Sequence, residues 1–433
     1  MRCTIFSPFH QQINKKHKQT MNDTNNDTPL LPSTSENKKE KKSKGASSFQ
    51  TGLNMLNELE GQGLLGLPYA ASIVGVVPAS VSLVLVGAFA AFTGYLINGC
   101  MYDSTDTNKR TRVSSSYADL ARRTFGSSGE RFCTLVQMTN LSFVGVVYLV
   151  LMGNALHNVY SVLDDDMNDR RLWIAISTLA AFPTVHLGGY KKISLLSFIG
   201  LVSIISIFVV GVYFSSKELS DHGNASFPKF KWINLPQTIS IFLFAFSAHG
   251  IFPDLEDSMS DPSQFSKVVA GVFTTNIALK AVFTFLGALA YGEATGQILT
   301  ENFSSSGVRS AVNVLIAVNT VMSFPLPLIP VFNAIRKYRN SENSTIQNFF
   351  VRSLIVILCG SVAVGVPNFG TAMGLMGSIT LPFLTFIFPG LFYVRLHGSE
   401  LSMMMKFLCW FVIMFGVIGA VLGLFSNIYS IVN

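Results

Sequence analysis

Between residues 50 and 431 the chain is a succession of apolar runs, at about 50–75, 77–101, 132–162, 172–189, 193–216, 236–258, 268–292, 310–335, 353–370, 371–394 and 407–431. Each is near the ~20 residues that an α-helix needs to cross a bilayer. In hydrocarbon every backbone amide and carbonyl must find a partner inside the protein, so only helices and closed barrels span. The short alternating strands of a membrane barrel are absent from this sequence. Charged residues make up 13% of the chain, against about 25% in soluble domains. The sequence therefore reads as an all-α integral membrane protein with about eleven transmembrane helices.

The polar remainder is arranged around those runs. Residues 1–48 are lysine-rich and hold too little apolar surface to fold alone, so they read as a disordered cytosolic tail. Within it, Asp27-Thr28-Pro29-Leu30-Leu31 resembles an acidic dileucine sorting signal. Residues 49–433 read as the transmembrane domain. With the tail inside, Lys109, Arg110, Arg112, Arg122, Arg123 and Arg131 fall on the cytosolic side, and so do Arg336, Lys337 and Arg339. Far-side connections are poorer in basic residues, which is the bias that sets membrane orientation. An odd number of spans then leaves Asn433 lumenal. Asn224-Ala225-Ser226 and Asn302-Phe303-Ser304 lie in far-side loops and make Asn224 and Asn302 candidate glycosylation sites. The net charge of +7 resides in tail and loops and gives no reason to expect a nucleic acid partner. Cys3, Cys100, Cys133, Cys359 and Cys409 lack metal-ligand spacing, so neither a metal nor another cofactor is expected. No His/Asp/Cys set has catalytic spacing at a membrane face, so the chain is not expected to be an enzyme.

Two runs are interrupted. The first holds Glu60-Gly61-Gln62-Gly63-Leu64-Leu65-Gly66-Leu67-Pro68, a poor recipe for a continuous helix. By itself that stretch fits a closely packed kinked helix as well as a broken one. The sixth run holds Phe246-Ser247-Ala248-His249-Gly250-Ile251-Phe252-Pro253-Asp254-Leu255-Glu256. Breaks in spans one and six fit two five-helix repeats of opposite topology, at about 50–216 and 236–394, with an extra helix at about 407–431. Paired interruptions of this kind are the best sequence pointer to the site of a secondary transporter. Half-helix amides, with Gly61 and Gly63 permitting close approach, suit a carboxylate. Unwound carbonyls and Ser247 suit an ammonium group. A small amino acid zwitterion fits both.

Ionisable residues at membrane depth are costly and point to function. They are Glu58 and Glu60 in span one, His249 and Glu256 in span six, and Lys280 in span seven. Lys280 is open to two readings, a coupling residue or half of a buried salt bridge with Glu60 or Glu256. His249 reads as a proton carrier or as a satisfied polar residue of the cavity. Glu256, nearer the cytosolic end, reads as a gate or helix-cap acid. Proton coupling is preferred over sodium, and the expected partners are a small amino acid, protons and the lipid bilayer.

Asn57 to Ala70, Thr93 to Tyr102, Ser247 to Met259, Arg309 to Pro327 and Val366 to Ser378 together resemble the amino acid/auxin permease superfamily. They are most similar to its vesicular inhibitory amino acid branch and to the vacuolar neutral amino acid transporters. The resemblance implies a LeuT-like 5+5 inverted repeat with broken helices 1 and 6, and proton-driven antiport of amino acids, GABA and glycine in the vesicular branch, into acidic organelles. By position it implies that Gly61, Gly63 and Leu64 meet the substrate carboxylate, that Phe246, Ser247 and His249 line the pocket, and that Glu60, Glu256, Lys280 and His249 serve coupling or gating. His249 and Glu60 both stand where that branch has Gln, which bears on GABA itself. A plasma-membrane symporter and a nutrient-sensing membrane scaffold are the alternative expectations.

Overall fold

A computed structural model describes residues 45–60, 63–103, 111–161, 169–186, 190–222, 227–338, 345–366, 368–398 and 400–432. The lysine-rich tail, Gly61, Gln62 and Asn224 lie outside the described residues. The first run forms α1 (Ser48–Glu60) and α2 (Leu67–Val74), joined through a 3₁₀ turn at Leu64–Gly66. Then come α3 (Val76–Cys100), the two-residue strands β1 (Tyr102–Asp103) and β2 (Thr111–Arg112), α4 (Tyr117–Tyr160), α5 (Arg170–Ala181) and α6 (Tyr190–His222). The sixth run forms α7 (Leu235–Ala245), a 3₁₀ turn at His249–Ile251 and α8 (Phe252–Asp257). The rest is α9 (Phe265–Tyr291), α10 (Ser306–Ser323), α11 (Pro325–Tyr338), α12 (Thr345–Gly365), α13 (Phe369–Ile379), α14 (Phe388–His397) and α15 (Met403–Val432).

Among the described residues, eight helices or joined helices are long and apolar enough to cross a membrane. The pair Phe369–Ile379 and Phe383–His397, bent by 40°, makes up to nine. The expected eleven also includes two segments that fall short of that length: the interrupted first run and the 12-residue α5. Helix α4 begins well before the apolar run expected at 132–162. Its first turn is capped by Ser116, whose hydroxyl accepts from the Asp119 amide at 3.1 Å. Hydropathy misses this part because Arg122, Arg123 and Arg131 lie in it. At 44 residues α4 would exceed any bilayer if straight. Gly126, at φ 69° and ψ −161°, kinks it, a backbone region essentially reserved for glycine.

The two breaks are built alike. In each, a helix stops, a three-residue 3₁₀ turn follows, and the second helix restarts with proline in its first turn, Pro68 in α2 and Pro253 in α8. Proline is harmless there because first-turn amides have no intrahelical acceptor. Helix α1 starts with a reciprocal cap: the Gln50 amide donates to Ser47 Oγ at 3.2 Å, and the Ser47 amide donates to Gln50 Oε1 at 3.0 Å. Just before it, Ala46 bridges to Met259 beyond α8. The start of α1 and the end of α8 therefore share one face of the molecule, the Ser48 face below. At the other end Asn234, preceding α7, donates to Ile73 O of α2 at 2.7 Å. Helices α2 and α7 pack on each other, α2 also on α9, and α7 also on α3, α13 and α15. Exposed Val81, Val84, Phe407, Phe411 and Val421 give α3 and α15 apolar outer faces suited to lipid.

Candidate functional site

The breaks lie side by side. A Cβ placed on Gly63 would sit 2.9 Å from both Cα and Cβ of Ala245, at the end of α7. Glycine is thus required here by close approach, the alternative first read for this stretch, whatever else its amide does. Helices α1 and α7 both end at this level, leaving main-chain carbonyls without intrahelical donors. Lys280, from the unbroken α9, supplies them. Its Nζ donates to Leu59 O at 2.8 Å, to Ala245 O at 2.5 Å and to Asn276 Oδ1 at 2.9 Å. Three acceptors match the three N–H bonds of an ammonium. The same nitrogen stands 4.9 Å from the centroid of the fully buried Phe246 ring.

The Glu60 carboxylate completes the cluster. Asn276 Nδ2 donates to Glu60 Oε1 at 2.8 Å, so the amide of Asn276 joins carboxylate to ammonium. The direct ion pair considered from sequence for Lys280 is replaced by this bridge. Lys280 and Asn276 are fully buried and Glu60 is 8% exposed. Among the described residues Glu60 Oε2 and Asn319 Oδ1 have no hydrogen-bond partner. Glu60, Leu64, Asn319 and Thr320 line a cavity of about 20 Å³, enough for one water.

A larger cavity, about 280 Å³, runs along the break in the sixth span. Ser247, Ala248 and Gly250 form one wall, Asn140 and Tyr148 of α4 another, and Glu58 and Asp254 contribute acid. Its volume lies just below the range of drug-sized ligand pockets, ~300–1,000 Å³. The far wall comes from a feature that the sequence reading missed. Residues Phe383–Ile387 form a π-helix between Pro382 and Pro389, a local widening frequent at functional sites. Thr385 within it shares a 2.8 Å hydrogen bond with Ser247. The Leu384 carbonyl accepts from Tyr117 Oη at 2.5 Å. Two prolines seven positions apart were the available signal.

The remaining candidates fall elsewhere. His249 is fully buried and turns toward α3, where Nε2 lies 3.0 Å from Thr93 Oγ1 and 2.9 Å from Ala90 O. It is not among the residues lining the 280 Å³ cavity. Glu256 is fully buried at the Ser48 face, 3.2 Å from Arg112 Nε, and accepts from the Tyr102 hydroxyl. Arg112 also pairs with Asp257 and donates to Pro253 O at 2.8 Å. The β1–β2 hairpin is thereby latched across α8. Arg112 drew notice in the sequence only as an orienting charge. Asn302 is engaged by its own loop, with Oδ1 accepting from the Gly296 amide at 2.7 Å and Nδ2 donating to Ala294 O at 2.8 Å. Among the described residues no group of three or more His, Cys, Asp or Glu side chains is placed to hold a metal.

Comparison with known proteins bears on the same region. The family model described as "Transmembrane amino acid transporter protein" matches residues 44–429. The chain is 25% identical over 411 residues to the human vesicular inhibitory amino acid transporter, covering 89% of this chain and 76% of the relative. It is 26% identical over 403 residues to amino acid transporter AVT1C of Arabidopsis thaliana, covering 90% and 71%. Among solved structures, inward-facing Mhp1 superposes with a TM-score of 0.56 at 14% identity, covering 89% of this chain and 91% of that one. MhsT in complex with L-phenylalanine gives 0.55 at 11% identity, covering 89% and 100%. These likenesses show the LeuT-like fold.

Proposed function

The chain belongs to the transmembrane amino acid transporter family, and from that membership we propose that it is a proton-coupled antiporter loading small neutral amino acids into an acidic vesicle or organelle. The multi-pass helical architecture follows the family; direction, coupling ion and cargo are the proposal. Vesicular and vacuolar relatives support the compartment. The observation that carries the reading is the pair of adjacent helix breaks, held by one ammonium, beside a cavity of about 280 Å³ that Ser247, Asn140, Glu58 and Asp254 help to line.

The substrate enters that cavity from the Ser48 face, which the basic residues of the sequence assign to the cytosol. The amides that open the 3₁₀ turn at Leu64–Gly66, which lies beside the smaller cavity and meets the sixth-span break at the Gly63–Ala245 contact, lack intrahelical acceptors and take the substrate carboxylate. Ser247 and the freed carbonyls beside it take the ammonium, with Asn140 and Tyr148 opposite. GABA and glycine are the cargo to try first. Glu60 carries the proton: protonation removes its charge, leaves Lys280 without a counter-charge, and loosens the joint between α1 and α7. The Arg112–Glu256 latch closes the cytosolic face in alternation with that joint.

Uptake of a labelled amino acid panel by proteoliposomes, with the pH gradient and the voltage imposed separately, tests this. An inside-acid gradient should drive accumulation of at least one small neutral amino acid. No uptake of any, or uptake indifferent to the gradient, refutes the proposal.

A further inference from the structure

We propose that the Lys280 ammonium is a tethered replacement for a free alkali cation, and that deleting the side chain uncovers a monovalent-cation site formed by Leu59 O, Ala245 O and Asn276 Oδ1, with the charge of Glu60 behind Asn276. The inference rests on reading the two breaks as the transport site. Carbonyl ends of broken membrane helices are where transported cations are commonly held. Each helix C-terminus carries about half a negative charge, and Glu60 adds a carboxylate at the same place. That much buried negative charge needs a cation in a low-dielectric interior.

The contacts of Lys280 are those of an ion rather than of a salt-bridge partner. Its nitrogen meets main-chain oxygens of two separate broken helices and one amide oxygen, at 2.5–2.9 Å. The carboxylate nearby is reached through Asn276 instead. A second observation lies beside it: among the described residues Glu60 Oε2 is buried without a hydrogen-bond partner, next to a water-sized cavity. Take away the lysine and three oxygen donors surround the vacated space, with the Glu60 charge held behind Asn276; neutral and carboxylate oxygens are the hard ligands an alkali ion takes. Because the ammonium is anchored to α9, it cannot leave during a transport cycle. The cation at this position is therefore never transported, and coupling falls to Glu60.

The test uses purified full-length protein and thermal unfolding in sodium, lithium, potassium or choline chloride at equal ionic strength. The wild type should melt at one temperature in all four. Lys280→Ala in choline should melt lower by roughly 5 °C or more, and one alkali ion should restore it with saturable concentration dependence. Lys280→Met, which refills the space without charge, should stay low in every salt. Preparing Lys280→Ala and Lys280→Ser in each alkali salt covers poor folding. The proposal is overturned if neither is recovered folded in any of them, or if Lys280→Ala equals wild type in choline. It is also overturned if no alkali ion rescues Lys280→Ala, or if wild type itself is stabilised by an alkali ion over choline. If wild type melts as expected yet moves no amino acid, the transport reading fails and the ion replacement stands.

Discussion

The latch on the Ser48 face gives the sharpest quantitative expectation. Glu256 is fully buried and Arg112 is 22% exposed, with their charged atoms 3.2 Å apart. Glu256→Gln keeps the shape and removes the charge. Stripping one partner from a fully buried pair costs about 3–5 kcal/mol. Here Arg112 keeps Asp257 and the Pro253 carbonyl, so the loss falls to about 1.4 kcal/mol, the size of one ordinary net polar contact (about 0.5–1.5 kcal/mol). If the pair exists only with the face closed, that figure is a tenfold shift toward the open state. A cysteine at Ser247, on the wall of the larger cavity, reports the shift through its alkylation rate. Cys100, Cys133, Cys359 and Cys409 are buried and provide a quiet background, with Cys3 replaced by serine. Glu256→Gln should speed alkylation about tenfold and Arg112→Gln by at least as much, since it also drops the Asp257 and Pro253 contacts; the double variant should do little more than Arg112→Gln alone, because the Arg112–Glu256 interaction is already lost in each. Unchanged rates, or single effects that multiply to about a hundredfold, would refute the latch.

Three further perturbations separate the parts of the site. Gly63→Ala places a methyl 2.9 Å from the Ala245 backbone, an overpacking worth about 1–3 kcal/mol. Uptake should fall at least tenfold, and Ala245→Gly should relieve it only partly, since Cα stays in place. Asn276→Leu strands Glu60 and Lys280 together and should lower both melting temperature and uptake, the latter about a hundredfold; Asn276→Gln should recover part of each. Gly126→Ala meets no atom within 4 Å but cannot adopt φ 69° without strain. It should lower stability by about 1–3 kcal/mol and leave substrate KM unchanged.

What the sequence disclosed and what it hid follow from where each signal resides. Helix breaks are written in the local chain, as glycine before and proline after, so both were visible at 61–68 and 250–253. The reason for Gly63 was not, because its neighbour Ala245 is far away in sequence and the close approach leaves no local mark. Lys280 stood out as a charge among apolar residues, yet its acceptors are main-chain carbonyls, which no side-chain pattern announces. Asn276, four residues earlier on the same face of α9, was the one legible hint of the bridge. Arg112 meets Asp257 across 145 residues of chain, and hydropathy counts such a residue only as a loop charge. The direction of His249 depends on the turn that carries it: the 3₁₀ turn at His249–Ile251 rotates the ring onto Thr93 and Ala90 while Ser247 and Gly250 face the cavity. A membrane helix thus advertises where it is broken through its own residues, whereas what closes the break is contributed by other helices. The proposed transport cycle places its chemistry in those closures, at Lys280 for the joint and at Arg112 for the face.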